Sequence, residues 1–292
     1  MEQKTIYALG FFDGVHLGHQ ALLDACGQLA QSNGCQAGVV TFDTHPETLV
    51  TNQAPPLINT VEDRCRLLMI QPVLVLPFDE ELMQTPWQTF LEDLIQWKGA
   101  AGFVCGDDFR FGYKGQGTAE SLAKFCRERS MPYAIVSERT MDGVRISSTH
   151  IRSLIEDGDV ETAAKFLGHP HILSGQVVQG RQLGRTIGTP TANLLLPEGV
   201  VVPRLGVYAC ICQVDGTEYM AVTNIGSRPT VEGHQVRAES WILDFEGDLY
   251  GENIQLQFHK FLRSERKFPS LEELRTEILK NGEETRKYFE NF

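Results

Sequence analysis

The sequence predicts two domains of different class, an α/β domain with a parallel sheet followed by an antiparallel β domain that ends in a helix. Three observations support this prediction. The chain has 292 residues, whereas a single domain typically has about 150. Its first half alternates short apolar runs with helical stretches, and its second half has β-like runs that end in turn signals. The change falls near His169-Pro170, so we expect one domain over 1–169 and another over 170–292.

Five short apolar runs in the first half are predicted strands, at 6–9, 37–42, 73–76, 102–105 and 133–136. Helical stretches separate these runs. One helix is expected to begin at Thr85, a capping residue that precedes Pro86 at the first helical position. Strands and helices that alternate in this way form a parallel sheet with helices on both faces.

The second half carries hairpin signals. Two apolar runs, 206–214 and 217–225, are separated by an Asp-Gly pair that is typical of a two-residue hairpin turn. Residues 236–245 and 254–262 supply further strands. The pattern predicts an antiparallel sheet or a closed barrel.

The chain ends in a predicted helix. Ser270 and Glu273 have the spacing of a capping box, which marks a helix start. An apolar stripe at helical spacing follows. The stripe consists of Leu271, Leu274, Ile278 and Leu279.

Composition excludes several classes of function. The formal net charge is −12, from 26 lysines and arginines against 38 aspartates and glutamates, whereas general nucleic-acid binding needs a basic surface. No apolar run approaches the ~18 residues of a membrane span, and the N-terminus lacks the apolar core of a signal peptide. Seven cysteines without any C-x-x-C pair fit a reduced cytoplasmic protein and argue against a zinc site. We therefore expect small-molecule partners and a cytoplasmic location, and the sequence carries no signal for an oligomeric state.

A glycine-rich turn, GFFDGVHLGH at 10–19, follows the first predicted strand. A strand, a tight turn and a helix start bring backbone N–H groups and the positive end of a helix to one spot, which suits phosphate. His16 and His19 would share one face of that helix, and Gly18 between them would let a ligand approach. The alternative is a pair of exposed histidines after a turn. Besides the histidines, the predicted phosphate-binding positions are Gly10, Phe11, Asp13, Gly14 and Gly18.

A second glycine-bounded loop, GDDFRFG at 106–112, follows the fourth predicted strand. The ends of the strands in a parallel sheet carry ligands, so Asp108 and Phe109 are candidate binding residues. A loop that merely anchors itself with aromatic side chains would have the same sequence.

A third motif, RISSTHIR at 145–152, follows the fifth predicted strand. Its arginines could fork onto phosphates while its hydroxyls donate hydrogen bonds. Alternatively, the hydroxyls simply cap a surface helix. The residues concerned are Arg145, Ser148, Thr149 and Arg152.

Glycines recur every four residues early in the second half. We interpret Gly180 and Gly184, with the adjacent Arg185, as a flexible cover over phosphates. Thr191 and Asn193 alternate by two, so they would lie on one side of a strand. A hydroxyl and an amide oxygen suit a Mg²⁺ ion carried by a nucleotide. The alternative is a polar strand edge.

Taken together, these motifs resemble those of the bacterial bifunctional riboflavin kinase/FMN adenylyltransferases, the FAD synthetase family. The H-x-G-H start, the GDDFRFG loop and the RISST-x-IR run match its first half, which is similar to the wider H-x-G-H nucleotidyltransferase superfamily. In the second half, GTPTAN at 188–193 is similar to the hallmark of riboflavin kinases. Glu239, which alone would be taken for a surface carboxylate on a strand, matches the catalytic glutamate of the family.

The resemblance implies a fold and two reactions. It implies a Rossmann-like nucleotidyltransferase domain over 1–169 and a β-barrel riboflavin kinase domain, with a C-terminal helix, over 170–292. The second domain would transfer the γ-phosphate of ATP to riboflavin, with Glu239 as base and Mg²⁺ held by Thr191 and Asn193. The first would transfer AMP from a second ATP to the product FMN, giving FAD and pyrophosphate.

The resemblance also assigns roles in the first domain. His16, His19 and Arg152 would stabilise the transferred phosphate. The chain departs from the family at Thr44, where the family has proline, and at Thr189, where it has phenylalanine; the first departure would alter the flavin-side loop and the second the packing beneath GTPTAN. The flavin-side residues would be Asp43, His45, Pro46, Asp108 and Phe109.

Two other functions remain as alternatives. One is an H-x-G-H transferase that acts on another nucleotide or small phosphate, although such an enzyme needs no second β domain. The other is a flavin- or nucleotide-binding regulator that has lost catalysis. Release of pyrophosphate from ATP only when FMN is present would separate these alternatives from the bifunctional enzyme.

Overall fold

The computed structural model describes residues 4–51, 55–180, 184, 188–230 and 233–291. The chain divides into two compact units. One comprises Met1–Leu57 and Arg64–Ser148, and the other comprises Ile58–Asp63 and Thr149–Phe292.

The first unit is built on a parallel sheet of five strands in the order β3-β2-β1-β4-β7, and all five predicted strands are confirmed. Two short antiparallel pairs, β5-β6 and β8-β9, accompany the sheet. The strands of this unit are β1 (Thr5–Leu9), β2 (Gln36–Phe42), β3 (Val73–Leu76), β4 (Ala100–Gly106), β5 (Arg110–Phe111), β6 (Gly117–Thr118), β7 (Tyr133–Val136), β8 (Thr140–Met141) and β9 (Val144–Arg145).

Helices cover both faces of the sheet, as predicted, because successive side chains of a strand point to opposite faces. On β1, Ile6 and Ala8 belong to the core shared with α1, whereas Tyr7 and Leu9 belong to the core shared with α5 and α6. The helices of the described chain are α1 (Leu17–Ser32), α2 (Pro46–Thr51), α3 (Val61–Leu67), α4 (Glu80–Gln84), α5 (Trp87–Lys98), α6 (Ala119–Glu128), α7 (Ser148–Asp157), α8 (Val160–Leu167) and α9 (Leu271–Glu290).

The predicted cap of α5 is wrong. The helix begins at Trp87 with Pro86 as its N-cap, and no side chain caps it. Thr85 instead ends the preceding helix, where its hydroxyl donates to the carbonyl of Glu81 at 2.9 Å. Helices α4 and α5 follow each other directly along the chain here, and Thr85 ends the first rather than beginning the second.

The second unit is a closed antiparallel barrel of six strands in the order β10-β11-β14-β13-β12-β15. The predicted hairpin is confirmed: Asp215 and Gly216 have φ values of +47° and +78°, the left-handed conformation that a tight type I′ turn requires. The strands are β10 (His171–Val178), β11 (Ala192–Leu195), β12 (Gly206–Val214), β13 (Thr217–Thr230), β14 (Gly233–Ile242) and β15 (Asn253–Arg263).

Alternation along each strand separates an apolar interior from an outer face. Cys210 and Cys212 lie on the inner side of β12, both fully buried, as their spacing predicted. Val160 of α8 joins the same core, because α8 packs against β10 and β15. Burial raises the pKa of the Cys212 thiol to about 12, so this thiol stays protonated at neutral pH.

Helix α9 packs against the outer face of β12 and β13. Ser270 is its N-cap and accepts a hydrogen bond from the Glu273 N–H at 3.2 Å, as the capping box predicted. The apolar stripe is narrower than predicted, since Leu271 is 51% and Leu279 37% exposed.

Candidate functional site

The two histidines of the H-x-G-H motif meet because the first caps the helix that carries the second. His16 is the N-cap of α1, and its Nδ1 accepts a hydrogen bond from the backbone N–H of His19 at 3.2 Å. The two imidazole rings stack with their centroids 3.6 Å apart. A side chain at the N-cap that accepts from the third helical residue satisfies one of the N–H groups a helix start leaves without a partner.

At two glycines of this turn, a side chain would crowd a neighbouring ring of the protein. A Cβ at Gly18 would lie 3.1 Å from the His16 ring, and one at Gly10 would lie 3.0 Å from the Phe12 ring. Gly14 has a φ of +79°, which favours glycine. Gly18 also lines the cleft described next, so the expectation that it lets a ligand approach stays a prediction.

The three motifs of the first unit line one cleft of about 270 Å³. It lies where β1, β4 and β7 end, which is where parallel sheets place ligands. Of the predicted site residues, those that line it are Gly10, Phe11, His16, Gly18, His19, Asp108, Phe109, Arg145 and Ser148.

Other predicted residues of the first half lie elsewhere. Asp13 and Gly14 are buried within the turn and do not line the cleft. Thr149 and Arg152 follow Ser148 along α7 and are counted with the second unit.

The predicted flavin-side residues at 43–46 make contacts with neighbouring parts of the first unit. Asp43 Oδ1 accepts from the backbone N–H of Phe78 at 2.9 Å. The His45 ring meets the Phe11 ring edge-on at 4.7 Å, which places it beside a cleft residue. Pro46 begins α2.

Arg145, a predicted phosphate ligand, is paired with carboxylates. Its guanidinium lies 2.7 Å from Asp108 Oδ2 and 2.5 Å from Glu138 Oε1. Asp108 was itself predicted on the flavin side, so the structure brings two predicted ligands into contact with each other. These carboxylates compete with an anionic substrate for Arg145.

The electrostatics of the cleft keep His19 neutral. Burial holds the pKa of His19 well below its usual 6.5, and electrostatic interactions with His16 and Arg64 lower this pKa further. A neutral imidazole can donate a hydrogen bond to a phosphate oxygen while it carries no charge of its own.

A second cleft, of about 330 Å³, lies in the barrel unit beneath α9. Thr191, Glu239 and Asn224 line it together with Arg263. In the strand register Asn193 pairs with Glu239, and Glu239 with Asn224. Because directly opposed residues of antiparallel strands share a face, these three side chains form one polar row across β11, β14 and β13.

Asn193 fits the role of a metal ligand. It is 5% exposed, and its Oδ1 has no hydrogen-bond partner among the described residues. Gly180 lies against it, since a Cβ there would be 2.6 Å from Asn193 Cγ. An amide oxygen here and the hydroxyl of Thr191, which lines the cleft, are donors of the type that suits a hard cation such as Mg²⁺.

The predicted glycine cover is described only in part. A Cβ at Gly184 would collide with the carbonyl oxygen of Thr189. Arg185 lies outside the described residues. Thr189 is fully buried, and its hydroxyl has no hydrogen-bond partner in the part of the chain that the structure describes, so the departure from phenylalanine leaves a polar group in a packed position.

Several residues of the second cleft were missed by sequence reasoning. Glu265 accepts from Asn224 Nδ2 at 3.2 Å. Glu277 of α9 lies 3.2 Å from Arg263 Nε and 2.5 Å from Arg266, which ties the helix to the barrel. No local signal marks them, since Asn224 is 41 positions from Glu265 along the chain.

Asp244, a carboxylate five residues after Glu239, is paired with an arginine. Both its oxygens accept from Arg286 of α9, at 2.7 and 2.8 Å. These hydrogen bonds hold the pKa of Asp244 below its ordinary value. Asp244 does not line the cleft that contains Glu239.

The fold and the two clefts define a two-part transferase that acts on phosphates, with an H-x-G-H unit followed by a P-T-A-N barrel. The model of the FAD synthetase family matches residues 1–150, and that of the riboflavin kinase family matches residues 167–289. The chain belongs to the bifunctional riboflavin kinase/FMN adenylyltransferase family.

Similar proteins support this assignment along the full length. The bifunctional riboflavin kinase/FMN adenylyltransferase of Listeria monocytogenes is 35% identical, covering 98% of this chain and 93% of that protein. The protein of the same name from Escherichia coli K12 is 36% identical, covering 99% and 94%. A solved structure described as a macrolide-efflux protein from Streptococcus pneumoniae is 32% identical with a TM-score of 0.88, covering 98% and 95%. Among the described residues, no helix is long and apolar enough to cross a membrane.

Proposed function

We propose that this chain makes FAD from riboflavin in two ATP-dependent steps, one in each cleft. The barrel unit transfers the γ-phosphate of ATP to the terminal ribityl hydroxyl of riboflavin and releases FMN and ADP. The H-x-G-H unit transfers AMP from a second ATP to the FMN phosphate and releases pyrophosphate. The observation that carries this proposal is that each family motif set lines its own cleft.

In the kinase step, Glu239 is the proposed base. An alcohol is a poor nucleophile at neutral pH, so a positioned carboxylate that takes its proton accelerates attack. Glu239 is half-buried in the polar row between Asn193 and Asn224, on a wall of the cleft. Thr191 and Asn193 would hold Mg²⁺, which when bound offsets the charge of the nucleotide phosphates.

In the adenylyl-transfer step, no base is needed because the FMN phosphate is already an anion. Catalysis consists of positioning and of stabilising charge on the α-phosphate and the leaving pyrophosphate. His16 and His19 lie at the N-terminal end of α1, where the helix dipole and N–H groups favour phosphate. Ser148, Thr149, Arg145 and Arg152 are the further proposed phosphate ligands.

The flavin of FMN is proposed to bind beside the same cleft. Phe11, which lines the cleft, is in ring contact with His45. Aromatic rings suit the flat flavin ring system because both present π faces. The proposed flavin-side residues are Asp43, His45, Pro46, Asp108 and Phe109.

The decisive experiment incubates the full chain with riboflavin, ATP and Mg²⁺ and separates riboflavin, FMN and FAD over time. FMN should appear before FAD, and pyrophosphate should form only once FMN is present. Pyrophosphate release without FMN would favour a transferase for another acceptor. Binding of flavin without turnover of ATP would favour a regulator.

We also propose a cytoplasmic location. All seven cysteines are free thiols in the structure, which is the state that a reducing compartment maintains. Cell fractionation followed by immunodetection tests it, and recovery in a membrane fraction would contradict it.

A further inference from the structure

Arg64 on α3 is the largest side chain that is fully buried among the described residues, with 0% exposure. Arginine is almost never fully buried unless it is paired. It belongs to none of the motifs that identify the family, and it contributes no surface to the cleft. Its burial beside that cleft therefore requires a reason.

The guanidinium of Arg64 joins the ends of two neighbouring strands. One terminal nitrogen donates to the carbonyl of Phe11 at 3.0 Å, and the other donates to the carbonyl of Phe42. Phe11 begins the glycine-rich turn after β1, and Phe42 is the last residue of β2. The guanidinium carbon also lies 4.3 Å from the centroid of the Phe11 ring, a cation–π distance.

The turn that Arg64 holds is the one that aims His19. Phe12, the next residue, lies edge-on to the His19 ring at 5.2 Å. Phe12 has a left-handed φ of +60°, a conformation that costs free energy for a residue with a side chain. A hydrogen bond from the buried Arg64 guanidinium to the carbonyl of Phe11, the preceding residue, is one way to keep the turn in that conformation.

The charge of Arg64 acts on the same site. Burial lowers the pKa of Arg64, and the nearby carboxylate of buried Asp13 opposes that effect, so the guanidinium stays charged. That charge contributes to the lowered pKa of His19, together with burial and His16. The other charged groups of the cleft are Asp107, Asp108, Glu138, Arg139 and Arg145.

We propose that Arg64 is a positioning residue for adenylyl transfer, which fixes the turn at 10–15 and so holds His19 in place for the phosphates. This inference rests on the proposed function of the first cleft. Lysine cannot replace it fully, since an ammonium lacks the planar fork that reaches two carbonyls at once.

The test compares two variants. R64M removes both the charge and the two hydrogen bonds to carbonyls, whereas R64K keeps the charge but lacks the planar guanidinium. R66M is the matched control, because Arg66 is an exposed arginine of the same helix. For each full-length variant, the kcat and KM of FAD formation from FMN are measured across pH. Thermal melting measures whether the first unit stays folded, and FMN formation from riboflavin measures whether the barrel unit stays intact.

R64M should lose about 10²-fold in kcat for FAD formation, because a small misplacement of a positioned group costs that much. Removal of a neighbouring positive charge makes His19 easier to protonate, so its pKa should rise and the acid limb of the pH profile should move towards neutrality. R64K should lose kcat while the acid limb stays at the parent position, and R66M should match the parent.

NMR titration of the His19 ring, assigned by its absence in H19Q, gives a readout that does not depend on turnover. A His19 pKa that is equal in the parent and in R64M overturns the role of the charge. Parent kcat in R64M, or equal loss of both activities in R64M and R64K, overturns the positioning role. If the parent itself makes no FAD, the proposed function fails, whereas the titration still measures the effect of Arg64 on His19.

Discussion

The two clefts of this chain differ in the side chains that they offer to phosphate and its acceptor. The first surrounds its ligand position with stacked imidazoles, a helix N-terminus and arginine at the ends of parallel strands. The second places a carboxylate, Glu239, in a row of amides on the outer face of an antiparallel barrel.

The difference follows from the acceptor of each proposed reaction. A phosphate acceptor arrives deprotonated, so its site needs only donors and positive potential. A hydroxyl acceptor must lose a proton, so its site needs a base, and a base next to anionic phosphates must be offset by cations. The comparison predicts that substitutions in one cleft leave the other reaction intact.

The largest expected effect is that of Glu239→Gln. Glutamine keeps the size but removes the base, and loss of a general base costs roughly 10²–10⁴ in rate. Riboflavin phosphorylation should fall by that factor, measured as FMN formed over time, while FAD formation from supplied FMN persists. Glu252→Gln, at an exposed position before β15, is the control. Parent-rate phosphorylation by Glu239→Gln would remove Glu239 from the mechanism.

The reciprocal change is His19→Ala. Removal of one preorganised donor to a developing charge typically costs roughly 10²–10³ in rate. FAD formation from FMN should drop on that scale, whereas FMN formation from riboflavin stays near the parent rate. A comparable drop in both reactions would mean that the variant is misfolded or that the clefts are not independent.

The independence of the halves can be tested by cutting the chain. We propose that a fragment of residues 170–292 still makes FMN and no FAD. A fragment of residues 149–292 should be more stable, because it keeps α8, whose buried Val160, Phe166 and Leu167 each contribute roughly 1.5–3 kcal/mol when removed from water.

Thermal melting of the two fragments, each assayed for FMN formation, measures the difference. Equal melting temperatures would show that α8 contributes nothing to the barrel unit. A soluble, folded 149–292 fragment without kinase activity would contradict independent domains.

The smallest effect is expected for Glu138→Gln. Glu138 and Arg145 are both exposed, and pairs of this kind contribute ~0.2–1 kcal/mol. Release of Arg145 from one carboxylate should lower the KM of FAD formation for its anionic substrates by at most about fivefold. Glu128→Gln, which alters a surface pair with Lys124, is the control, and an unchanged KM would show that Arg145 is not a substrate ligand.

The elements that sequence could predict are those whose signals are local. The five parallel strands are short apolar runs, because strands buried on both faces need apolar side chains throughout. The hairpin turn needs positive φ at both of its residues, which an Asp-Gly pair allows. Both signals therefore come from residues that are adjacent in the sequence. The His pair was found for the same reason. The stacking of the two rings was not predicted, because it depends on His16 being the N-cap, and hence on where α1 starts.

The residues that sequence could not predict act through distant neighbours. Arg64 is 53 positions from the carbonyl of Phe11, and Asn224 is 41 positions from Glu265. Only the barrel register or the sheet order brings such pairs together. The exposure of Leu279 is a similar case, since the face that α9 buries is set by what it packs against.

The cap formed by His16 has a consequence for which nitrogen of that ring holds hydrogen. Nδ1 can accept from the His19 N–H only with its lone pair available, so a single hydrogen on this imidazole sits on Nε2. A second proton would convert the acceptor into a donor that faces another donor, and the helix start would lose a cap that typically contributes ~1 kcal/mol. The backbone N–H of His19 thus fixes which nitrogen of the His16 ring carries the hydrogen, and so selects one tautomer of His16.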